Sequence, residues 1–175
     1  MEHRFNKIFY FIIPLFYFSC HNTKEYELSA INETEKNSFK KVLMIGNSFT
    51  FYWNLPLVLE TMFESSDINI KVDQKTIGGS KLKEHWQYNI DNSYKVKDYD
   101  YVVLNDHSTY PLNNIDTCSK YINLFTNYIN KLNGQTLIYG TWEYPYLKKI
   151  SSQKSYNTMQ VLDSLSKLNN AKYVP

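Results

Sequence analysis

The hydrophobic positions change period several times along the chain. Val42-Leu43-Met44-Ile45 is a continuous apolar run closed by Gly46, the pattern of a strand buried on both faces. Leu55, Val58, Leu59, Met62 and Phe63 then recur at helical spacing, with Pro56 tolerated in a first turn. Ile68, Ile70 and Val72 alternate and predict a second strand. Gly78-Gly79-Ser80 interrupts the pattern, and a weakly helical stretch with Leu82, His85 and Trp86 follows. Residues 99–104 predict a third strand, with an apolar centre at Tyr101-Val102-Val103-Leu104. The strongest helical repeat comes next, through Cys118, Tyr121, Ile122, Phe125, Ile129 and Leu132, and Asn133-Gly134 stops it. Residues 136–139 read as a fourth strand, Thr158 to Leu168 as a helix, and 171–175 as a fifth strand. No internal repeat is evident.

Strand and helix alternate from Lys41 onward, which implies a central parallel sheet with helices on both faces. Sites in such sheets lie beyond the C-terminal ends of the strands. Four segments fall there: Gly46-Asn47-Ser48-Phe49-Thr50, Gly78-Gly79-Ser80, Asn105-Asp106-His107-Ser108 and Thr141-Trp142-Glu143-Tyr144.

Before Lys41 the pattern is different. Arg4 and Lys7 precede an unbroken apolar and aromatic run over residues 8–18. At 1.5 Å per residue that run spans roughly 16 Å, about half of a bilayer core, so it suits a signal-peptide h-region better than a membrane span. Ser19-Cys20 closes it as a bacterial lipobox would, although Tyr17 stands where leucine is usual. The expectation is a signal peptide over 1–20 with Cys20 lipidated, a polar tether over 21–40, and one domain over 41–175. The protein would be exported and held at a membrane surface by its lipid. An ordinary cleaved signal or a short anchor are the alternatives.

Composition narrows the function classes. Nineteen basic and 17 acidic residues leave a net charge of +2, unlike the basic face of a nucleic-acid binder. At 43% hydrophobic and 17% aromatic residues, the chain has enough apolar surface to bury a core. Two cysteines make neither a disulfide scaffold nor a four-cysteine zinc site. Cys118, on the apolar face of its helix, reads as a small hydrophobe. No clustered metal ligands and no phosphate-binding loop are present, so neither metal nor cofactor is expected.

A serine on a tight turn at a strand end can present its hydroxyl to an open cleft, where a base makes it a nucleophile. Ser48 fits that position. The backbone N–H groups of Ser48 and Gly79 and the side-chain amide of Asn105 are candidate donors to the oxyanion formed on attack. A glycine suits the second position because a close backbone approach leaves no room for a side chain. Singly, Gly-Asn-Ser also reads as a plain turn and Asn105 as a cap or loop residue. Their ordered appearance after strands one, two and three carries the signal.

Those blocks resemble the SGNH, or GDSL-like, hydrolases. Gly46-Asn47-Ser48 is similar to the first block, Gly79 within Ile77-Gly78-Gly79-Ser80 to the second, and Asn105-Asp106 to the third, whose glycine is replaced here by Val103. Ile45 to Thr50, Gly79-Ser80-x-Leu82 with His85-Trp86, the strand 99–104 and Thr141-Trp142 look like a subfamily found in gut and environmental Bacteroidota. The resemblance implies a three-layer α/β sandwich with flavodoxin-like strand order. It also implies a serine esterase in which Ser48 is the nucleophile and Gly79 and Asn105 form the oxyanion hole. The family's base lies in an Asp-x-x-His motif near the C-terminus. None of His3, His21, His85 and His107 has an aspartate three residues before it. The resemblance therefore implies a domain lacking its C-terminal part, including a helix that covers one face of the sheet.

The remaining expectations concern the rim. Trp53, Trp86, Trp142, Tyr144 and Tyr146 fall near strand ends, where rings either stack on a sugar face or wall the cleft. Trp142 and His107 are candidate substrate contacts, His85 is expected near the cleft edge or at the surface, and Asp106 as a structural residue of its loop. The expected substrate is a small-molecule or glycan ester with a short acyl group such as acetyl. The rival readings are a non-catalytic surface lipoprotein or inactive fragment, favoured by the absent Asp-x-x-His, and a flavodoxin-like cofactor binder, which would show flavin colour.

Overall fold

The computed structural model describes residues 39–66, 68–89, 93–154 and 156–175. The expected signal peptide, Cys20 and most of the expected tether lie outside them. Five strands form one sheet: β1 (Lys40–Gly46), β2 (Ile70–Thr76), β3 (Tyr101–Leu104), β4 (Gln135–Tyr139) and β5 (Lys172–Val174). Their spatial order is β2-β1-β3-β4-β5, and every pairing is parallel. This is the flavodoxin-like order expected from the sequence, with its switch point between β1 and β3. The register sets Gly46 opposite Thr76 and Ile45 opposite Leu104, so the first three strands end at one level.

The helices are α1 (Ser48–Phe51), α2 (Leu55–Glu64), α3 (Leu82–Asn89), α4 (Tyr110–Asn113), α5 (Ile115–Lys131), α6 (Pro145–Ser152) and α7 (Thr158–Leu168). Alternation along the strands sorts side chains to two faces. Leu43, Ile45, Val102 and Leu104 are fully buried in one core with Ile122 and Phe125 of α5 and Leu162 and Leu165 of α7. α5 ends as its sequence requires, but with the two residues' roles exchanged. Asn133, not Gly134, takes the left-handed φ of 62°. Gly134 N–H bonds Ile129 O at 3.1 Å, and an added Cβ there would lie 2.9 Å from Ile129 Cγ2.

The opposite face carries a groove among the described residues. Val42 and Met44 of β1, Tyr101 and Val103 of β3 and Leu137 of β4 line an apolar groove of about 540 Å³ beside α2. Leu55, Leu59 and Phe63 form the α2 wall of that groove.

Candidate active site

The loops that leave β1, β2 and β3 meet at one side chain. Asn47 caps α1, its Oδ1 accepting the N–H of Phe49 at 3.1 Å. Its Nδ2 donates to Ser80 O after β2 and to Asp106 O after β3, both at 3.1 Å. Both amide protons and the amide oxygen are used, so the orientation of this buried side chain is fixed by its partners. Gly46 allows the same convergence from below. A Cβ there would lie 2.5 Å from Thr50 Oγ1 and 2.8 Å from Asn105 Cβ.

Ser48 follows directly as the first residue of α1 and is exposed. Among the described residues nothing hydrogen-bonds its hydroxyl. Gly79 sits in the turn closed by the bond from Ser80 N to Ile77 O at 3.1 Å. Its φ of +69° at the third turn position is the one a type II turn reserves for glycine. This corrects the expected reason for the glycine. An added Cβ would meet nothing within 4 Å, so the backbone angle, not crowding, selects it in the free protein. Asn105 extends β3 by donating its N–H to Ile45 O at 2.9 Å. Its buried side-chain oxygen receives Thr50 Oγ1 at 3.4 Å. Ser48, Gly79 and Asn105 thus stand after β1, β2 and β3, three neighbouring strands ending on one rim.

Asp106 is a loop anchor. Its buried Oδ1 accepts Leu82 N–H at 3.0 Å and His107 N–H at 2.7 Å. Burial pushes its pKa up against these donors, and the Cys118 thiol donates to it as well. Burial and that carboxylate hold the Cys118 thiol well above its ordinary pKa, which leaves no thiolate for nucleophilic chemistry at neutral pH.

No protein-family model matches the chain, and no curated protein does. Solved structures do. A Slackia heliotrinireducens protein assigned to the SGNH hydrolases superposes with a TM-score of 0.63 at 21% identity, over 78% of each chain. A DUF4886 family protein from Bacteroides uniformis gives 0.62 at 19% identity, over 79% of this chain and 67% of its own. The acetyl xylan esterase AlAXEase gives 0.59 at 15% identity, over 76% and 75%. The chain has the SGNH hydrolase fold.

Within that fold the remaining rim residues separate into two groups. Trp142 packs edge-on against Phe49, ring centroids 4.7 Å apart, and Tyr144 stacks on the same ring at 5.5 Å. Trp142 is still 56% exposed, so part of its indole is open to solvent while it packs on the residue after Ser48. Glu143 between them is turned away, accepting Thr158 N–H at 2.6 Å and Ser151 Oγ at 3.0 Å, which ties the loop to α7. Trp86 does not belong to the rim. It packs against Phe125 and Tyr128 of α5, with the Phe125 centroid at 5.1 Å.

The two described histidines also differ. His107 is half-buried on the rim, its Nδ1 within 3.0 Å of Thr109 Oγ1 and accepting Thr109 N–H at 3.3 Å. His85, expected near the surface, is fully buried beneath the rim. Its place on α3 points it inward, since it follows Leu82 by three residues and Leu82 is itself buried. The sequence reading missed His85, Ser80 and Thr50 as parts of the site. Their one available signal was polarity at positions that the helical or turn pattern directs inward.

Proposed function

We propose that the protein is a serine esterase of the SGNH type that removes short acyl groups, acetyl foremost, from a glycan. The observation that carries this reading is the exposed Ser48 at the β1/β3 switch point, with the Gly79 turn and the loop after Asn105 tied to it through Asn47, which bonds Ser80 O and Asp106 O. In this reading Ser48 Oγ attacks the ester carbonyl and its proton passes to a base. The N–H groups of Ser48 and Gly79 and the Asn105 amide receive the oxyanion. The intermediate collapses, the alcohol leaves with a proton, and water then releases the acid from the acyl-enzyme. The exposed Trp142 offers a flat apolar face to a sugar ring beside the ester, and His107 offers its Nε2–H to the substrate.

The base is the part that these residues do not supply. Both nitrogens of His85 are occupied, and neither histidine among the described residues bonds Ser48. Exogenous imidazole can stand in for it. The test compares wild type with Ser48→Ala on p-nitrophenyl acetate and on acetylated xylan, each with imidazole added. Imidazole-dependent turnover that Ser48→Ala abolishes supports the esterase. Equal rates in both proteins reject it.

The exposed rings of Trp142, Tyr144 and Tyr146 support a second reading, a non-catalytic surface lipoprotein that binds glycan through them. It predicts xylan binding that Trp142→Ala weakens and Ser48→Ala leaves intact, with no turnover. Export and acylation at Cys20 are part of both proposals. Metabolic palmitate labelling that Cys20→Ser removes is the expected result.

A further inference from the structure

The carbonyl oxygen of Gly46, the last residue of β1 before Asn47-Ser48, is the meeting point of three donors. Ile77 N–H reaches it at 3.1 Å, Ser80 Oγ at 3.2 Å and His85 Nε2 at 2.8 Å. His85 Nε2 also lies 2.8 Å from Ser80 Oγ. On the other side of the ring, Nδ1 lies 2.5 Å from the buried Tyr94 hydroxyl. A carbonyl only accepts, so Nε2 carries the ring's hydrogen and Nδ1 receives the Tyr94 O–H. Burial keeps the imidazole neutral by lowering its pKa, in agreement with that tautomer.

The pair Ser80–His85 has the separation of a nucleophile and its base, and it cannot act as one. Both side chains are closed to solvent. The nitrogen facing Ser80 holds its hydrogen toward Gly46 O and has no lone pair free for a proton. The Ser80 hydroxyl in turn donates to the same carbonyl.

We propose that His85 is a positioning residue of the acyl-transfer centre: it clamps the end of β1 to the turn Ile77–Ser80, and so fixes the Gly79 N–H relative to Ser48. Gly79 itself is exposed and touches no atom where its Cβ would be, so the turn is fixed at its two ends. One end is Ile77 N–H on Gly46 O, and the other is Ser80, held by Asn47 Nδ2, Gly46 O and His85. Removing the imidazole deletes the shortest of the three bonds to Gly46 O and the contact to Ser80 Oγ. Donors aimed at a developing oxyanion lose effect over displacements of about 1 Å, which is the size of shift such a cavity permits.

The inference rests on the esterase reading, so its test has one arm that needs no turnover. Amide hydrogen exchange is compared in wild type, His85→Ala, His85→Gln and Ser80→Ala. In His85→Ala the Ile77 and Ser80 amides exchange about tenfold faster relative to those of Val102 and Leu104 in β3. His85→Gln, which keeps a donor near Nε2, restores most of their protection. In the second arm, imidazole-assisted hydrolysis of p-nitrophenyl acetate loses about 10- to 100-fold in kcat with KM little changed. An even rise in exchange across turn and β3 would mean a general stability role and overturn the proposal, and so would intact kcat. If wild type shows no Ser48-dependent turnover, the esterase reading fails while the exchange arm still decides the clamp. If His85→Ala does not fold, His85→Gln and Ser80→Ala carry the same comparison.

Discussion

Replacing Asn47 by aspartate changes one side-chain group and removes the tie between three loops. The amide nitrogen donates to Ser80 O and Asp106 O at 3.1 Å each, and the side chain is buried. A carboxylate keeps the bond from Phe49 N–H but has no hydrogen to give, so two buried carbonyl oxygens lose their partner. Leaving a buried polar group unpaired costs about 1–3 kcal/mol, so Asn47→Asp is expected to lose about 2–6 kcal/mol. The new carboxylate faces two carbonyl oxygens away from water, and both features raise its pKa. A raised folded-state pKa means that the folded form holds the proton more tightly. The deficit is therefore largest above that pKa and shrinks as pH falls, because a protonated carboxyl regains one donor. Urea unfolding of both proteins at about pH 8 and about pH 5 reads this directly. A variant as stable as wild type at the higher pH, or a deficit that grows on acidification, would refute the reasoning.

Further outcomes follow from the same contacts. Gly46→Ala places a methyl 2.5 Å from Thr50 Oγ1 and 2.8 Å from Asn105 Cβ, so it should lose about 1–3 kcal/mol in thermal or urea unfolding. Burial raises the Asp106 pKa, so its contribution to stability is greatest at acid pH and falls as pH rises through its folded value. Asp106→Asn should remove that slope from a plot of stability against pH, and a slope of opposite sign in wild type would contradict the assignment. Trp142→Ala removes an exposed ring and should raise KM about threefold to tenfold for an acetylated glycan while leaving p-nitrophenyl acetate nearly unchanged.

The sheet was legible because buried parallel strands are apolar on both faces. Val42-Leu43-Met44-Ile45 and Tyr101-Val102-Val103-Leu104 became β1 and β3, the pair that frames the switch point. Strand edges were less legible, since pairing reaches beyond the apolar centre at Lys40 and Gln135 and stops short of Tyr99. The short helices α1 and α4 went unread because four residues hold barely one turn, too few to show a period. α6 went unread because only Leu147 of its eight residues is buried. The common placement of Ser48, Gly79 and Asn105 was legible because each follows a predicted strand. The polar layer beneath them was not. Asn47, Ser80 and His85 act through bonds to main-chain oxygens of distant segments, and Asn47 alone reaches residues 33 and 59 positions away. Trp86 and His85 were assigned to the rim because they adjoin the Gly78-Gly79-Ser80 break, whereas α3 carries Trp86 to α5 and buries His85.

The account stands most directly on one measurement, a crystal structure after reaction with a p-nitrophenyl phosphonate ester in the presence of imidazole. Its tetrahedral phosphorus stands in for the intermediate formed when Ser48 attacks an ester. The expected result is a covalent bond from Ser48 Oγ to phosphorus, with one phosphonyl oxygen within hydrogen-bond reach of Gly79 N and Asn105 Nδ2. Phosphorus on another side chain, or an adduct on Ser48 whose oxygen turns to solvent away from both donors, would contradict the assignment of this rim as an acyl-transfer centre.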